Sequence, residues 1–328
     1  MSDSATVGVK GLGLTALYGH QKPDSMLRTI LLHLSELEAP KKLLAAHSWG
    51  RRLVSRFIAG EELDDAIRTI RQLSAEGFDV TLDHLGESVT DAAEAEEAGR
   101  AYLDILDRLA AENLPSHISI KLTQLGLAID AALARRLVEA LAERAARYRS
   151  FVRIDMEGSA YTEKTWRIFR DVKAPRDVLG VVIQAYLYRS EKDVDELLKD
   201  GARIRLCKGA YQEPPELAFP RKAEVDRNYA KLMEKLLASG TYQALATHDS
   251  RLIAAAEKLA KDLGVGAERF EFQMLYGIRR QLQRQLVRQG YRVRIYVPYG
   301  KQWYPYFMRR LAERPANLLF LLRNLFRA

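Results

Sequence analysis

From residue 61 the chain repeats one unit, an amphipathic helical stretch paired with a short β-branched run, and this repetition limits the possible folds more than any other feature. The runs are FDVTLDHLG (78–86), HISIKLT (117–123), FVRIDME (151–157), LGVVIQAYL (179–187), ARIRLCKGA (202–210), ALATHD (244–249), FEFQML (270–275) and RVRIYVPYG (292–300). Between them lie helical stretches such as DAAEAEEAGRAYLDILDRLAAE (91–112), DAALARRLVEALAERAARY (130–148) and SEKDVDELLKD (190–200). Strands that alternate with helices predict a parallel sheet. Eight units in roughly 250 residues match the size of a closed barrel. The expected class is α/β: a (βα)8 TIM-type barrel, preceded by N-terminal helices and followed by a C-terminal helix beside the site.

An open doubly wound sheet would announce itself by a glycine-rich turn after the first strand. Here DHLGES follows that strand, and the GLG at 11–13 precedes any strand. Residues 1–20 read as a loose leader, and 24–58 as helices by their apolar spacing. The expected organisation is therefore 1–60 as leader and packing helices and 61–328 as the barrel, with a loop insertion around 214–217. No run of about 18 uncharged apolar residues spans a bilayer. MSDSATVGVKGLGL has no basic start leading into an apolar segment, so no secretory signal is expected and the expected location is the cytoplasm. The single cysteine, Cys207, precludes an internal disulfide and fits a reducing compartment.

The net charge of +8 is uneven. From Arg279 to Ala328 stand eleven arginines and Lys301 against Glu313 alone, leaving the rest of the chain slightly acidic. A basic end suits an anionic partner, or is simply a solvated basic face.

In such barrels chemistry sits at the C-terminal ends of the strands. Those ends read Asp83, Lys121, Asp155 with Glu157, Gln184, Arg205 with Lys208, His248, Leu275 and Tyr296. Any one polar residue there is ordinary; a polar group on seven of eight strands points to a site. The six histidines form no HxH or HExxH pattern, so no metal centre is expected. No GxSxG elbow or Walker A loop occurs. Paired carboxylates for glycoside hydrolysis would be held ionised by Lys121, Arg205 and Lys208, which does not suit a general acid. The set fits an anionic, polar cofactor and an anionic substrate instead. RLCKGAY (205–211) places Arg and Lys before a glycine turn that can bring backbone N–H groups to phosphate. Arg309 and Arg310, about 100° apart on a helix after strand eight, can clamp a carboxylate.

Taken in order, DHLGE (83–87), SIKLT (119–123), RIDME (153–157), VIQAYL (182–187), RIRLCKGAY (203–211), ATHD (246–249), FQML (272–275), RIYVPYG (294–300) and YFMRRLAERPAN (306–317) resemble the proline dehydrogenase family. The resemblance covers nearly the whole barrel and is that of a monofunctional bacterial member, similar to the corresponding domain of proline utilization A. It implies a flavoenzyme that uses FAD to oxidise L-proline to Δ1-pyrroline-5-carboxylate by hydride transfer from C5 to the flavin N5, the first step of proline catabolism to glutamate. Electrons would pass to a ubiquinone-type acceptor, with peripheral contact at the inner face of the cell membrane.

By the same resemblance Lys121, Arg309 and Arg310 bind the substrate carboxylate, and with Arg205 at the flavin N5 they form the catalytic set. Asp83, Leu275, Tyr296 and Tyr306 line the substrate pocket. Asp155, Gln184, Arg205, Cys207, Lys208, Gly209, Ala210 and His248 fall on the cofactor-binding positions. Glu313 joins them as the carboxylate that orients the arginine pair. Gln212 departs from relatives that carry tryptophan there, so no stacking arrangement carries over. Charge balance calls for Asp83 to pair with Lys121 or an arginine. Cys207 inside its strand predicts a buried, inert thiol and non-covalent FAD.

Two rivals stand beside this reading. One is a flavin barrel acting on hydroxyproline. The other is a non-catalytic anion-binding barrel that takes lipid or RNA on its basic end; no interleaved basic and aromatic motif supports RNA, and no nucleic-acid partner is expected. Residues 306–326 mix arginines with Leu and Phe, which suits a packed barrel helix or an anionic membrane surface.

Overall fold

The structure is a computed structural model that describes residues 38–86, 89–211 and 213–312. It divides into two units, the larger being Leu44–Trp303. That unit holds the barrel, whose eight strands run β1 Asp79–His84, β2 Ser116–Ile120, β3 Val152–Ile154, β4 Leu179–Gln184, β5 Arg203–Cys207, β6 Gln243–Ala246, β7 Phe270–Leu275 and β8 Val293–Tyr299. They close in sequence order, each parallel to the next and β8 back onto β1. The eightfold alternation is therefore a closed (βα)8 barrel.

The helices, numbered along the chain, are α1 Glu38–Ala46, α2 Ser48–Val54, α3 Leu63–Ala75, α4 Ala92–Ala111, α5 Ala131–Arg147, α6 Thr162–Asp171, α7 Ser190–Lys199, α8 Lys222–Ala238, α9 Ser250–Asp262, α10 Arg280–Arg288 and α11 Trp303–Ala312. Several start on aspartate caps, as short polar side chains at that position satisfy free backbone N–H groups. Asp91 accepts from the Glu94 N–H at 2.9 Å, and Asp130 from the Ala132 N–H at 2.7 Å. The long loop after β5 carries the 214–217 insertion and is joined to the loop after β4 by an antiparallel bridge between Leu187 and Ala218. The segment before α3 is tied to the barrel by the Ala59 N–H to the Pro298 carbonyl at 2.9 Å and by Trp303 Nε1 donating to Glu61 at 2.7 Å.

Each strand separates two chemistries by its two-residue period. Val80, Leu82, Ile118, Ile120, Ile154, Val181, Ile204, Leu206, Phe272, Met274, Ile295 and Val297 are fully buried in the apolar core with the helices. The alternate positions, Asp83, Ser119, Arg153, Arg205, Glu271, Gln273 and Arg294, are buried and polar. These side chains fill the barrel interior, because Arg205 on β5 bonds Ser119 on β2 and Gln273 on β7, strands that are not its neighbours. The sequence reading placed polarity only at strand ends; the structure continues it downward. A typical barrel of this fold fills its interior with branched apolar side chains.

Of the remaining chain, 38–43 and 304–312 are described. On α11, Tyr306 and Arg310 share a face by their four-residue spacing, the guanidinium carbon 5.1 Å from the ring centroid. Residues 313–328, with Glu313 and most of the mixed basic and apolar segment, lie outside the described residues, as do 1–37, with the leader and the first part of the helical stretch 24–58, and Gln212.

Candidate active site

The site is built on the carboxylate of Asp155, which follows the short β3. Its Oδ1 accepts from Arg205 Nη1 at 2.7 Å and from the Ser119 hydroxyl at 2.9 Å. Its Oδ2 accepts from the Tyr296 hydroxyl at 2.8 Å and lies 4.0 Å from Lys121 Nζ. Lys121 donates to Asp83 at 2.9 Å, the pairing that charge balance required. Arg205 and Tyr296 lie inside their strands rather than at the ends, and the guanidinium stacks 5.3 Å from the Tyr296 ring centroid.

The electrostatics follow from this crowding. Burial works against the charge of Lys121, but the Asp83 and Asp155 carboxylates overcome it and hold the ammonium well above its ordinary value. Burial, with Asp155 and Asp83 beside it, pushes the Tyr296 phenol well above its own. Glu157 is raised by burial against the opposing hydrogen bonds of Thr123, whose N–H donates to it at 3.0 Å.

A second cluster forms where β4, β5 and β6 end. Gln184 donates to the Glu157 carbonyl at 3.1 Å and accepts from the Ala210 N–H at 2.9 Å, which ties the loops after β3 and β5 together. Gly209 between them has φ +132°, and a Cβ there would meet the Tyr186 ring at 2.3 Å, so only glycine brings this backbone so close. Lys208 sits between Asp226 at 2.6 Å and Asp249 at 3.1 Å. His248 Nε2 accepts from the Leu275 N–H at 2.9 Å, which puts the proton of the neutral ring on Nδ1. Burial pushes the Cys207 thiol up to about 12, in keeping with an inert role.

Asp83, Lys121, Asp155, Arg205 and Tyr296 thus form one bonded network, and Gln184 joins Ala210 beside Lys208 and Gly209. Leu275 pairs in register with Tyr296. Arg309, Arg310 and Tyr306 stand on α11, in the other unit. Ser119, Thr123, Gln273 and Glu271 were not singled out from the sequence. The signal was available for Gln273, a polar residue inside the FQML run.

An α/β barrel that gathers buried, oppositely charged side chains near the C-terminal ends of its strands is an enzyme scaffold. The family model described as "Proline dehydrogenase" matches residues 66–323, and the chain belongs to that family of oxidoreductases. It is 43% identical over 299 residues to "Proline dehydrogenase 2" of Bacillus subtilis, covering 91% of this chain and 98% of that one. It is 37% identical over 311 residues to "Proline dehydrogenase" of Deinococcus radiodurans, covering 92% and 98%. Among solved structures it is similar to proline utilization A (PutA) from Bdellovibrio bacteriovorus inactivated by N-propargylglycine, with a TM-score of 0.78 and 26% identity. That match covers 87% of this chain and 36% of the larger protein. Among the described residues no helix is long and apolar enough to cross a membrane.

Proposed function

We propose that this chain oxidises L-proline to Δ1-pyrroline-5-carboxylate with FAD as its cofactor and passes the electrons to a membrane quinone. The observation that carries the flavin is Arg205. Its side chain is buried, its Nε and Nη1 are bonded, and its Nη2 finds no partner among the described residues. A buried guanidinium N–H without an acceptor is costly, and a ligand acceptor removes that cost. The close backbone at Gly209 supports the same reading, since it suits an extended polar cofactor.

In this reading Asp155, Gln184, Arg205, Cys207, Lys208, Gly209, Ala210, His248 and Glu313 hold FAD, with Arg205 at N5. Asp83, Lys121, Leu275, Tyr296, Tyr306, Arg309 and Arg310 hold proline. Bound FAD supplies the acceptor for the hydride that leaves proline C5. Lys121 stays charged across the neutral range and so serves the substrate carboxylate as a fixed cation rather than as a base. Asp155 offsets Arg205 and Lys121, and its bonds to Ser119 and Tyr296 fix its position. Rigid orientation of the ring is the main contribution the protein can make to such a transfer.

The purified protein is expected to be yellow and to bleach when L-proline is added without oxygen. A colourless protein that takes up no FAD would overturn this function. The substrate amine must be neutral before hydride leaves, so kcat/KM for proline is expected to rise with pH through neutrality; a flat profile from about pH 6 to 9 counts against proline as reductant.

A further inference from the structure

Arg205 is oriented from below as well as from the side. Its Nε donates to Gln273 Oε1, and Gln273 Nε2 donates to Glu271 Oε1 at 2.5 Å. Glu271 in turn accepts from Arg294 Nε at 2.9 and 3.1 Å and from the Tyr242 hydroxyl at 2.9 Å. Burial works against the charge of Glu271, but Arg294 beside it holds the carboxyl well below its ordinary range. An ionised carboxylate only accepts hydrogen bonds. The Gln273 atom that faces it is therefore the amide nitrogen, and the amide oxygen is turned to Arg205. The flip of one side-chain amide is thus set by a charge deeper in the barrel.

This has a consequence for Arg205. An arginine beside a carboxylate tends to a bidentate, fork-to-fork pair. Arg205 meets Asp155 through Nη1 alone, because Gln273 holds Nε and Tyr296 holds the other carboxylate oxygen. Without the amide oxygen, the guanidinium is free to turn and close a second bond onto Asp155.

We infer that Gln273, with its amide locked by Glu271, is a positioning residue that keeps Arg205 single-bonded to Asp155 and reserves its remaining nitrogen for the flavin. The inference rests on the reading of Arg205 as a flavin contact.

The test is the reduction potential of the bound flavin, since a residue that merely filled space would not move it. Gln273→Met preserves length and removes both hydrogen bonds. Its flavin is expected to be about tenfold harder to reduce, about 30 mV more negative for a two-electron couple. Its kcat for proline is expected to fall more than its KM changes. The exchange Glu271→Gln/Gln273→Glu conserves total charge and moves the carboxylate against Arg205. It is expected to be the less stable of the two, because Arg294 loses its carboxylate, and to shift the potential further in the same direction. Potentials unmoved in both variants, with flavin bound, overturn the positioning role. If either variant does not fold, the other decides, and an unmoved potential there overturns it. A wild-type protein that binds no flavin overturns the proposed function instead, so the two failures are distinguishable.

Discussion

The barrel buries charge in two places, and they are built differently. At the floor, Arg294 spends its nitrogens on Glu271, on the Val80 carbonyl at 2.9 Å and on Asp79 at 3.4 Å, while Glu271 is filled by Arg294, Gln273 and Tyr242. Arg153 and Arg203 each leave Nε without a partner among the described residues, but their guanidinium carbons lie 4.7 and 4.3 Å from the Phe151 ring centroid. Gly180 makes room for this, since a Cβ there would come within 2.7 Å of Arg153 Nη1. At the mouth, Asp155 and Asp83 serve Lys121 and Arg205, yet Arg205 keeps a nitrogen in reserve. The Glu271–Arg294 pair is a closed network, with none of its buried polar atoms left over among the described residues, whereas the Asp155–Arg205 pair leaves Nη2 over. Residue types do not distinguish the two pairs, but the state of the last donor does.

Breaking the floor is expected to have the largest effect. Glu271→Ala leaves Arg294 buried beside only Asp79, and removing one partner of a buried pair costs about 3–5 kcal/mol. Denaturant unfolding should show this loss whether or not activity survives. Replacing both as Glu271→Met/Arg294→Met should cost much less than the single change, because no unpaired charge remains. Equal losses in the two variants would show that the pair is not electrostatically closed.

Breaking the mouth is expected to do the reverse. Arg205→Met should lower kcat for proline by ~10²- to 10³-fold, the usual effect of removing one preorganised donor from a site. Its stability should change far less than that of Glu271→Ala, since Asp155 keeps Ser119, Tyr296 and Lys121. Unfolding curves and single-turnover flavin reduction measure the two effects separately.

This contrast also marks what the sequence could show. The barrel was legible because helix-period and strand-period segments alternate eight times, and the period needs no partner to be read. Lys121, Asp155 and Arg205 were legible because ordered motifs carry them. Glu271 and Arg294 were not, since FEFQ and RVRI read only as strands, with nothing local to say which way their charges face. Whether an alternate position faces water or a barrel axis depends on closure, which no local window contains. Ser119 was missed for a simpler reason: serine in a strand is common, and only its bonds to Asp155 at 2.9 Å and to Arg205 at 3.1 Å give it meaning.

The two regions also hold carboxylates displaced in opposite directions, which gives a smaller, pH-dependent contrast. Glu271 lies below its ordinary 4.5, so its contribution to stability is present above pH 4.5 and is lost as pH falls below it. Glu157 lies above 4.5, so its contribution is present below that value and is lost as pH rises through its folded value. Glu271→Gln should therefore flatten the acid limb of the stability profile, and Glu157→Gln the limb just above it. Melting temperatures from about pH 3 to 7 test both signs; matching slopes in the two variants would refute the assignment.

The smallest expected effect concerns Tyr296, which belongs to the mouth by its bond and to the barrel wall by its ring. Tyr296→Phe removes the 2.8 Å bond to Asp155 and keeps the ring under Arg205. A neutral hydroxyl donating to a carboxylate is worth about 1.5–3 kcal/mol at most, and Arg205 and Ser119 still hold the other oxygen. The variant should fold, with a loss of stability no larger than that and smaller than that of Glu271→Ala. Asp155 Oδ2, released from the phenol, is then open to Lys121, 4.0 Å away, and the ammonium is drawn away from where the substrate carboxylate would sit. The expected result is a rise in KM for proline of about five- to tenfold with a smaller change in kcat, the pattern of lost ground-state binding. A fall in kcat at constant KM would instead place the Tyr296 hydroxyl on the reacting ring, and would move it from supporting Asp155 to touching the substrate itself.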